Sequence, residues 1–216
     1  MISKQQVRAW WFRPFSCESK RPKPMPTNTA TVSRWLMGCE QLQFLGHELC
    51  LLTSGKAIRW LVIFFEPAAG VTISYRIDRC GYLLCGPVWM ALRVVAFPLF
   101  LALRLLSCRH EICCKAQIGR GLQLSHPTLG IVINGDAIIG RNCLLNGGNS
   151  IGVRRGIVPG QLVVGDDVTL GINSCVLGPV QIGNRVVIGA GAIVVSDLPD
   201  DCVARGVPAR IHPAHS

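Results

Sequence analysis

One side chain of this 216-residue sequence is best placed to move a proton: His126, in the run Ser125-His126-Pro127-Thr128. A neutral imidazole titrates near pH 7, so it can take the proton of an attacking hydroxyl and then hand it to a leaving group. A lone histidine is more often packed or merely solvated, so its type decides nothing without its position. A second polar set, Arg154, Arg155 and Gln161, belongs to a Gly/Pro/Arg-rich run over 152–161. Metal chemistry is not expected. No Cys-x-x-Cys has a matching second pair, and His126 is read as the only histidine inside the C-terminal repeat, which argues against a three-histidine zinc enzyme.

The elements that must hold His126 are announced by a period of six. From Val164 the step runs Leu170, Val176, Ile182, Ile188 and Val194 without a slip, and Gly165, Gly171, Gly183 and Gly189 follow four of these. The same step holds at Ile133, Ile139, Leu145 and Ile151, and earlier at Ile112, Ile118 and Leu124. Small or medium side chains sit four residues on: Val168, Ser174, Val180, Val186 and Ala192. Neither a helical period nor strand alternation gives a strict six. One flat side of a triangular coil does, with the aliphatic inward and a turn at each corner, so three hexads make a coil and coils stack as a solenoid. The step breaks twice. Nine residues separate Leu124 from Ile133, around His126, and thirteen separate Ile151 from Val164, around Arg154, Arg155 and Gln161. Breaks are where loops leave a scaffold, and loops carry function.

On these motifs the sequence resembles the serine O-acetyltransferase family of hexapeptide-repeat acyltransferases. The run Ala116-Gln-Ile-Gly-Arg-Gly-Leu-Gln-Leu-Ser-His-Pro-Thr-Leu-Gly-Ile-Val-Ile133 is similar to that family's active-site stretch, and Asp197 to Ile211, with Gly-Val-Pro-Ala-Arg210, to its closing segment. The resemblance is close over 108–212 and loose over 66–107. It implies a mainly β fold, a left-handed parallel β-helix preceded by a small apolar helical region, and acetyl-CoA as the acetyl donor without a metal. It implies His126 as base, with Glu111 in place of the family's aspartate holding the imidazole's far nitrogen. It implies a homotrimer with acetyl-CoA between subunits, touching Ile172, Ala190 and Arg210, with Gly189 leaving room for the pantetheine arm. Ser125 replaces the family's acid before the base, and the long loop has Gln161 near the place of its second histidine, with Arg154 and Arg155 upstream. These departures weaken the grip on serine's charges. Serine stays narrowly ahead as the acceptor in cysteine biosynthesis. The His-Pro-x-x-Gly-Ile-Val-Ile pattern also resembles the exopolysaccharide and capsule branch, where a sugar hydroxyl would accept. An inactive acyltransferase-like scaffold is the third reading.

The front half differs in composition. Residues 1–116 hold 15 Lys/Arg against 6 Asp/Glu, and residues 117–216 hold 7 against 6, so the net charge of +10 is +9 and +1. Residues 1–35 read as a basic, disordered arm, 36–107 as the apolar helical region, 108–196 as the β-helix and 197–216 as an extended tail. A helix over 66–82 is expected to end before Gly81. Residues 83–106 are apolar apart from Arg93 and Arg104, which suit a helix lying in a membrane surface or buried against a partner subunit better than a spanning one. Eleven scattered cysteines suit a reducing compartment, hence the cytoplasm or the inner face of the membrane. No nucleic-acid-binding module is recognisable.

Overall fold

The computed structural model describes residues 31–53, 66–95, 110–153 and 160–212. The period of six becomes a parallel β-helix. Strands β1 (His110–Ile112), β2 (Gln117–Ile118) and β3 (Gln123–Leu124) form the first coil. The second is β4 (Ile131–Ile133), β5 (Ala137–Ile139) and β6 (Leu144–Leu145), and the third is β7 (Asn149–Val153), β8 (Leu162–Val164) and β9 (Thr169–Leu170). The fourth is β10 (Cys175–Gly178), β11 (Val180–Ile182) and β12 (Val187–Ile188), followed by β13 (Ile193–Val194), β14 (Val203–Arg205) and β15 (Arg210–His212). Every third strand stacks on the last. Sheet A is β1-β4-β7-β10-β13, sheet B is β2-β5-β8-β11, and sheet C is β3-β6-β9-β12-β14-β15. The hexad aliphatics all point into the prism, from Ile112 at 8 % exposure to Leu145, Leu170 and Val176 at none. Each such side chain contributes about 1.5–3 kcal/mol by leaving water.

Three expectations need correction. Residues 197–205 are not a tail. Leu198 bridges to Ile182, and β14 lies parallel to β12, so the chain completes a fifth coil. Then β15 turns back antiparallel to β14 and covers the last edge. The prolines and acids of 197–201 hid this coil, although Leu198 and Cys202 keep apolar side chains at its inward positions. Second, His126 is not the only histidine of the coils, because His110 opens β1. Among the described residues no group of three or more histidine, cysteine or acidic side chains comes together. Third, the basic arm ends earlier than its composition suggested, for helix α1 (Thr31–Thr53) takes in residues 31–35.

Helix α2 (Pro67–Cys85) runs past Gly81 and stops at Gly86, whose φ of +60° an L side chain rarely adopts. Gly81 serves close packing instead of termination, since the indole of Trp89 occupies the space a Cβ would fill. Trp89 belongs to α3 (Pro87–Val95), and its Nε1 donates to Asp78 Oδ1 at 2.7 Å. Arg93 adds an ion pair to Asp78 at 3.3 Å. No helix among the described residues is long and apolar enough to cross a membrane. Residues 96–107 lie outside the described residues.

The helices close the open end of the prism. At the corners on either side of sheet B, N–H groups of one coil donate to carbonyls of the next, as Cys113 N does to Ile133 O (3.0 Å) and Gly119 N to Ile139 O (2.9 Å). The first coil's carbonyls there therefore face away from the stack. Arg76 of α2 donates from Nη1 to Ile118 O (2.8 Å) and from Nη2 to Gly119 O (2.6 Å). Tyr75 Oη donates to Ala116 O at 2.9 Å, and Arg79 Nη1 to Cys114 O and Lys115 O, each at 3.0 Å. Burial pushes the Tyr75 phenol up to about 12, so it remains a donor. Arg76 is fully buried and paired with Glu48 of α1, whose Oε1 also accepts from Leu122 N at 3.0 Å.

Arg76→Met is expected to destabilise the fold by about 3–5 kcal/mol, because it strands a buried carboxylate and two carbonyls. Urea unfolding of this variant, Glu48→Leu and the double variant should show that the double costs less than the sum of the singles. A sum without coupling would mean that the pair is not the cap's centre.

Candidate functional site

Ladder register places the expected site residues on one edge of the prism. Across sheet C the partners Leu124, Leu145, Leu170, Ile188 and Ala204 are aligned, and Ala204 pairs with Ile211. One residue further on, each rung turns the corner toward sheet A. That column reads Ser125, Asn146, Gly171, Gly189, Arg205, and β15 adds Arg210 opposite Arg205. The ladder bonds continue through it: Ser125 N to Leu145 O, Asn146 N to Leu170 O, Gly171 N to Ile188 O and Gly189 N to Ala204 O, at 2.7–3.1 Å.

His126 stands at the head of this edge. Its backbone, with φ −132° and ψ 66°, starts a one-turn 3-10 segment, Pro127–Leu129, which holds the three extra residues of the first break. Leu129 N bonds back to His126 O at 3.2 Å, and Gly130, at φ +85°, leads into β4. The imidazole is exposed. Glu111 is exposed on the outer face of sheet A, where its rung partner is Val132. The two flank the same corner region, but no hydrogen bond joins them.

Beneath His126 lies a corner that sequence reasoning missed. Gly147 has φ +100°, and a Cβ there would strike the carbonyl oxygen of His126. Gly148, at φ +66°, faces Asn173 and donates to Gly130 O at 2.7 Å. Asn149 is buried at a position the repeat fills with small or aliphatic residues. It accepts from Gly147 N (2.8 Å) and donates to Gly171 O (2.7 Å) and Ser174 Oγ (3.0 Å). The Asn-Gly-Gly-Asn run and the polar intruder in an apolar column were the available signals.

The expected donor-binding residues share this edge. Ile172 O accepts from Gly191 N at 2.8 Å, and Ala190 lies against Gly171, where a Cβ would come within 2.5 Å of Ala190 N. A Cβ on Gly191 would meet nothing within 4 Å. At Gly171 and Gly189 the missing side chains let the next coil close in, with Ala190 and Arg205 occupying the Cβ positions, whereas at Gly191 the edge is open. Gln161 is exposed ahead of β8, and Arg154 and Arg155 fall outside the described residues. Beside Ser125 a cleft of about 110 Å³ opens between the helices and sheet C, walled largely by leucines, among them Leu51, Leu52 and Leu144.

Comparison with known proteins agrees with this architecture. The family described as bacterial transferase hexapeptide (six repeats) matches residues 162–196. A serine acetyltransferase of Synechococcus elongatus is 38 % identical over 103 residues, covering 47 % of this chain and 41 % of that one. The crystal structure of the Neisseria gonorrhoeae serine acetyltransferase superposes with a TM-score of 0.65 at 25 % identity, covering 84 % of this chain and 69 % of that chain. The coil is similar to the hexapeptide-repeat transferases and to the serine acetyltransferases. The bifunctional protein GlmU of Listeria welshimeri is 35 % identical over 89 residues, 41 % of this chain and 19 % of its own. The chain thus spans less than half the length of these curated relatives.

Gly147→Ala is expected to shift His126 and lower any His126-dependent activity at least tenfold, since both the φ and the contact exclude a methyl group. Gly46→Ala, in α1 with open space around it, should leave activity unchanged. Equal activity in both variants would show that the corner does not position the base.

Proposed function

We propose that this chain is an acetyl-CoA-dependent O-acetyltransferase that acetylates the hydroxyl of L-serine, with His126 as base. The observation that carries the reading is the edge itself, which puts an exposed imidazole at the head of the column Ser125, Asn146, Gly171, Gly189, Arg205. The similarity to serine acetyltransferases supports it. The hydroxyl gives its proton to the His126 imidazole as its oxygen attacks the thioester carbonyl carbon. The C–S bond then breaks, and the sulfur leaves as the thiol with that proton. Glu111 is proposed to orient the imidazole and balance its transient charge, a role that requires its flexible carboxylate to swing toward His126. The working unit is proposed to be a cytoplasmic homotrimer, with that edge covered by a neighbouring subunit.

The cleft beside Ser125 favours a second reading. Its one carboxylate, Glu48, is engaged by Arg76 and Leu122, so nothing ionic on that wall is free to hold an ammonium group. A neutral sugar hydroxyl of the exopolysaccharide kind suits that wall better than a zwitterion. Thiol release from acetyl-CoA by the full chain, with serine or with nucleotide sugars and glycans, separates the two. His126→Ala should cut release with the true acceptor by a factor of about 10²–10⁴. Release with serine supports the first reading, and release only with a sugar supports the second. Absence of release with every acceptor would leave the inactive scaffold.

We also propose peripheral membrane contact through 83–106. Helix α3 buries none of its residues and exposes Val88, Met90, Leu92, Val94 and Val95, on the half of the chain that carries +9. The full chain is expected to sediment with vesicles of phosphatidylglycerol and phosphatidylcholine, and Val94→Glu with Val95→Glu to abolish this. Vesicle-independent self-association lost in the same variant would assign the face to a second copy instead.

A further inference from the structure

Resting on His126 as the proposed base, we infer that Asn149 is a positioning residue for the transfer: a buried amide that locks the corner beneath His126 and so fixes the segment carrying the imidazole.

The column to which Asn149 belongs shows the anomaly. The first inward place of sheet A is taken by Ile131, Asn149, Ser174 and Ala192 in successive coils, all of them buried. The matching places of sheets B and C are apolar in every coil, from Ala116 and Leu122 to Val180 and Cys202. An amide in such a column gives up hydration that its neighbours never had, and is tolerated only when fully bonded. Local rules broken in this way are expected at functional or strained sites.

The bonds that Asn149 makes explain its presence. The next two corners each close on a backbone bond, Ser174 N to Gly171 O and Ala192 N to Gly189 O, both at 3.2 Å. Each turns on one left-handed residue, Asn173 (φ 57°) or Gly191 (φ 66°). The corner beneath His126 needs two in succession, Gly147 (φ 100°) and Gly148 (φ 66°). The cause lies above it, where the carbonyl oxygen of His126 occupies the place of a Gly147 side chain. Two adjoining glycines leave a turn soft, because neither restricts its own backbone. The Asn149 side chain stiffens this one. Its Oδ1 accepts from Gly147 N at 2.8 Å, and its Nδ2 donates to Gly171 O (2.7 Å) and Ser174 Oγ (3.0 Å) on the coil beyond. The corner then holds the His126 segment at both ends. His126 O rests on Gly147, and Gly130, which closes the single turn begun at His126, accepts from Gly148 N at 2.7 Å. Asn149 is buried and touches no substrate, so it acts on the imidazole through Gly147 and Gly148.

The test compares the full chain with Asn149→Val and Asn149→Ala, side chains of the kind that Ile131 and Ala192 bring to the same column. With whichever acceptor supports thiol release, each variant is expected to lower kcat about tenfold or more while KM for acetyl-CoA stays within about twofold. Hydrogen exchange read by mass spectrometry should be about tenfold faster at Leu129 and Gly130, whose amides bond to His126 O and Pro127 O, and unchanged in sheet B. Adding Ser174→Ala to Asn149→Val removes the hydroxyl left without its partner. This double variant should regain thermal stability but not kcat. Return of kcat along with stability, or exchange equally fast in sheet B, would reduce Asn149 to a structural residue and overturn the inference. Unchanged kcat in both single variants, with His126→Ala inactive, would also overturn it and leave the acetyltransferase reading standing. Absence of turnover in wild type would overturn that reading instead, and the exchange at Leu129 and Gly130 would then decide whether Asn149 fixes the segment.

Discussion

A stack of parallel coils has two raw ends, and the first of them is the constraint on which this molecule depends. The carbonyls of Cys114, Lys115, Ala116, Ile118 and Gly119 point away from the stack, where no further coil can meet them. Leaving such groups buried and unpaired would cost about 1–3 kcal/mol each. Arg76, Arg79 and Tyr75 supply the donors, and Glu48 neutralises the arginine that must be buried to do so. One helix pair therefore does for the first coil what each coil does for the one after it. A continuous polar network of this kind works only if complete, and no buried side-chain nitrogen or oxygen lacks a partner among the described residues.

The cap also bears on the site. Glu48 and the leucines near it form a wall of the cleft beside Ser125, so the group that satisfies Arg76 is withdrawn from any acceptor placed there. The helical region is thereby both a structural plug and a boundary of the chemistry. The serine acetyltransferase likeness is compatible with this shape, but the charges that a zwitterionic acceptor asks for must come from outside this wall. The neutral local wall therefore bears on the acceptor more than on the proposed acyl transfer.

Much of the β-helix was legible before any coordinates, because a strict period of six has one packing solution. Ile112 through Val194 fell inward as that solution requires. The fifth coil was not legible: Leu198 and Cys202 follow the inward rule, but Asp197, Pro199, Asp200 and Asp201 around them read as an irregular tail. Gly81 misled for a related reason. Its sequence signal is the same for a helix stop and for a close approach, and only the indole of Trp89 distinguishes them. Pairwise facts separated by many residues, such as Arg76 with Glu48, leave no periodic trace at all.

The candidate site divides the same way. His126 could be found from the break in the step, but the reason it can sit there lies in Gly147, twenty-one residues later and one coil on. Its missing side chain makes room for the histidine's carbonyl. The column from Ser125 to Arg210 is likewise a property of register. Its members from Ser125 to Arg205 are each one residue past an inward apolar residue of sheet C, so the hexads that build the core also fix, on their outer edge, which residues follow one another down that edge. A solenoid converts a sequence period into a spatial line, and function can then be written along that line at intervals of one coil. In this chain the line begins at an imidazole, passes over glycines, and ends on two arginines.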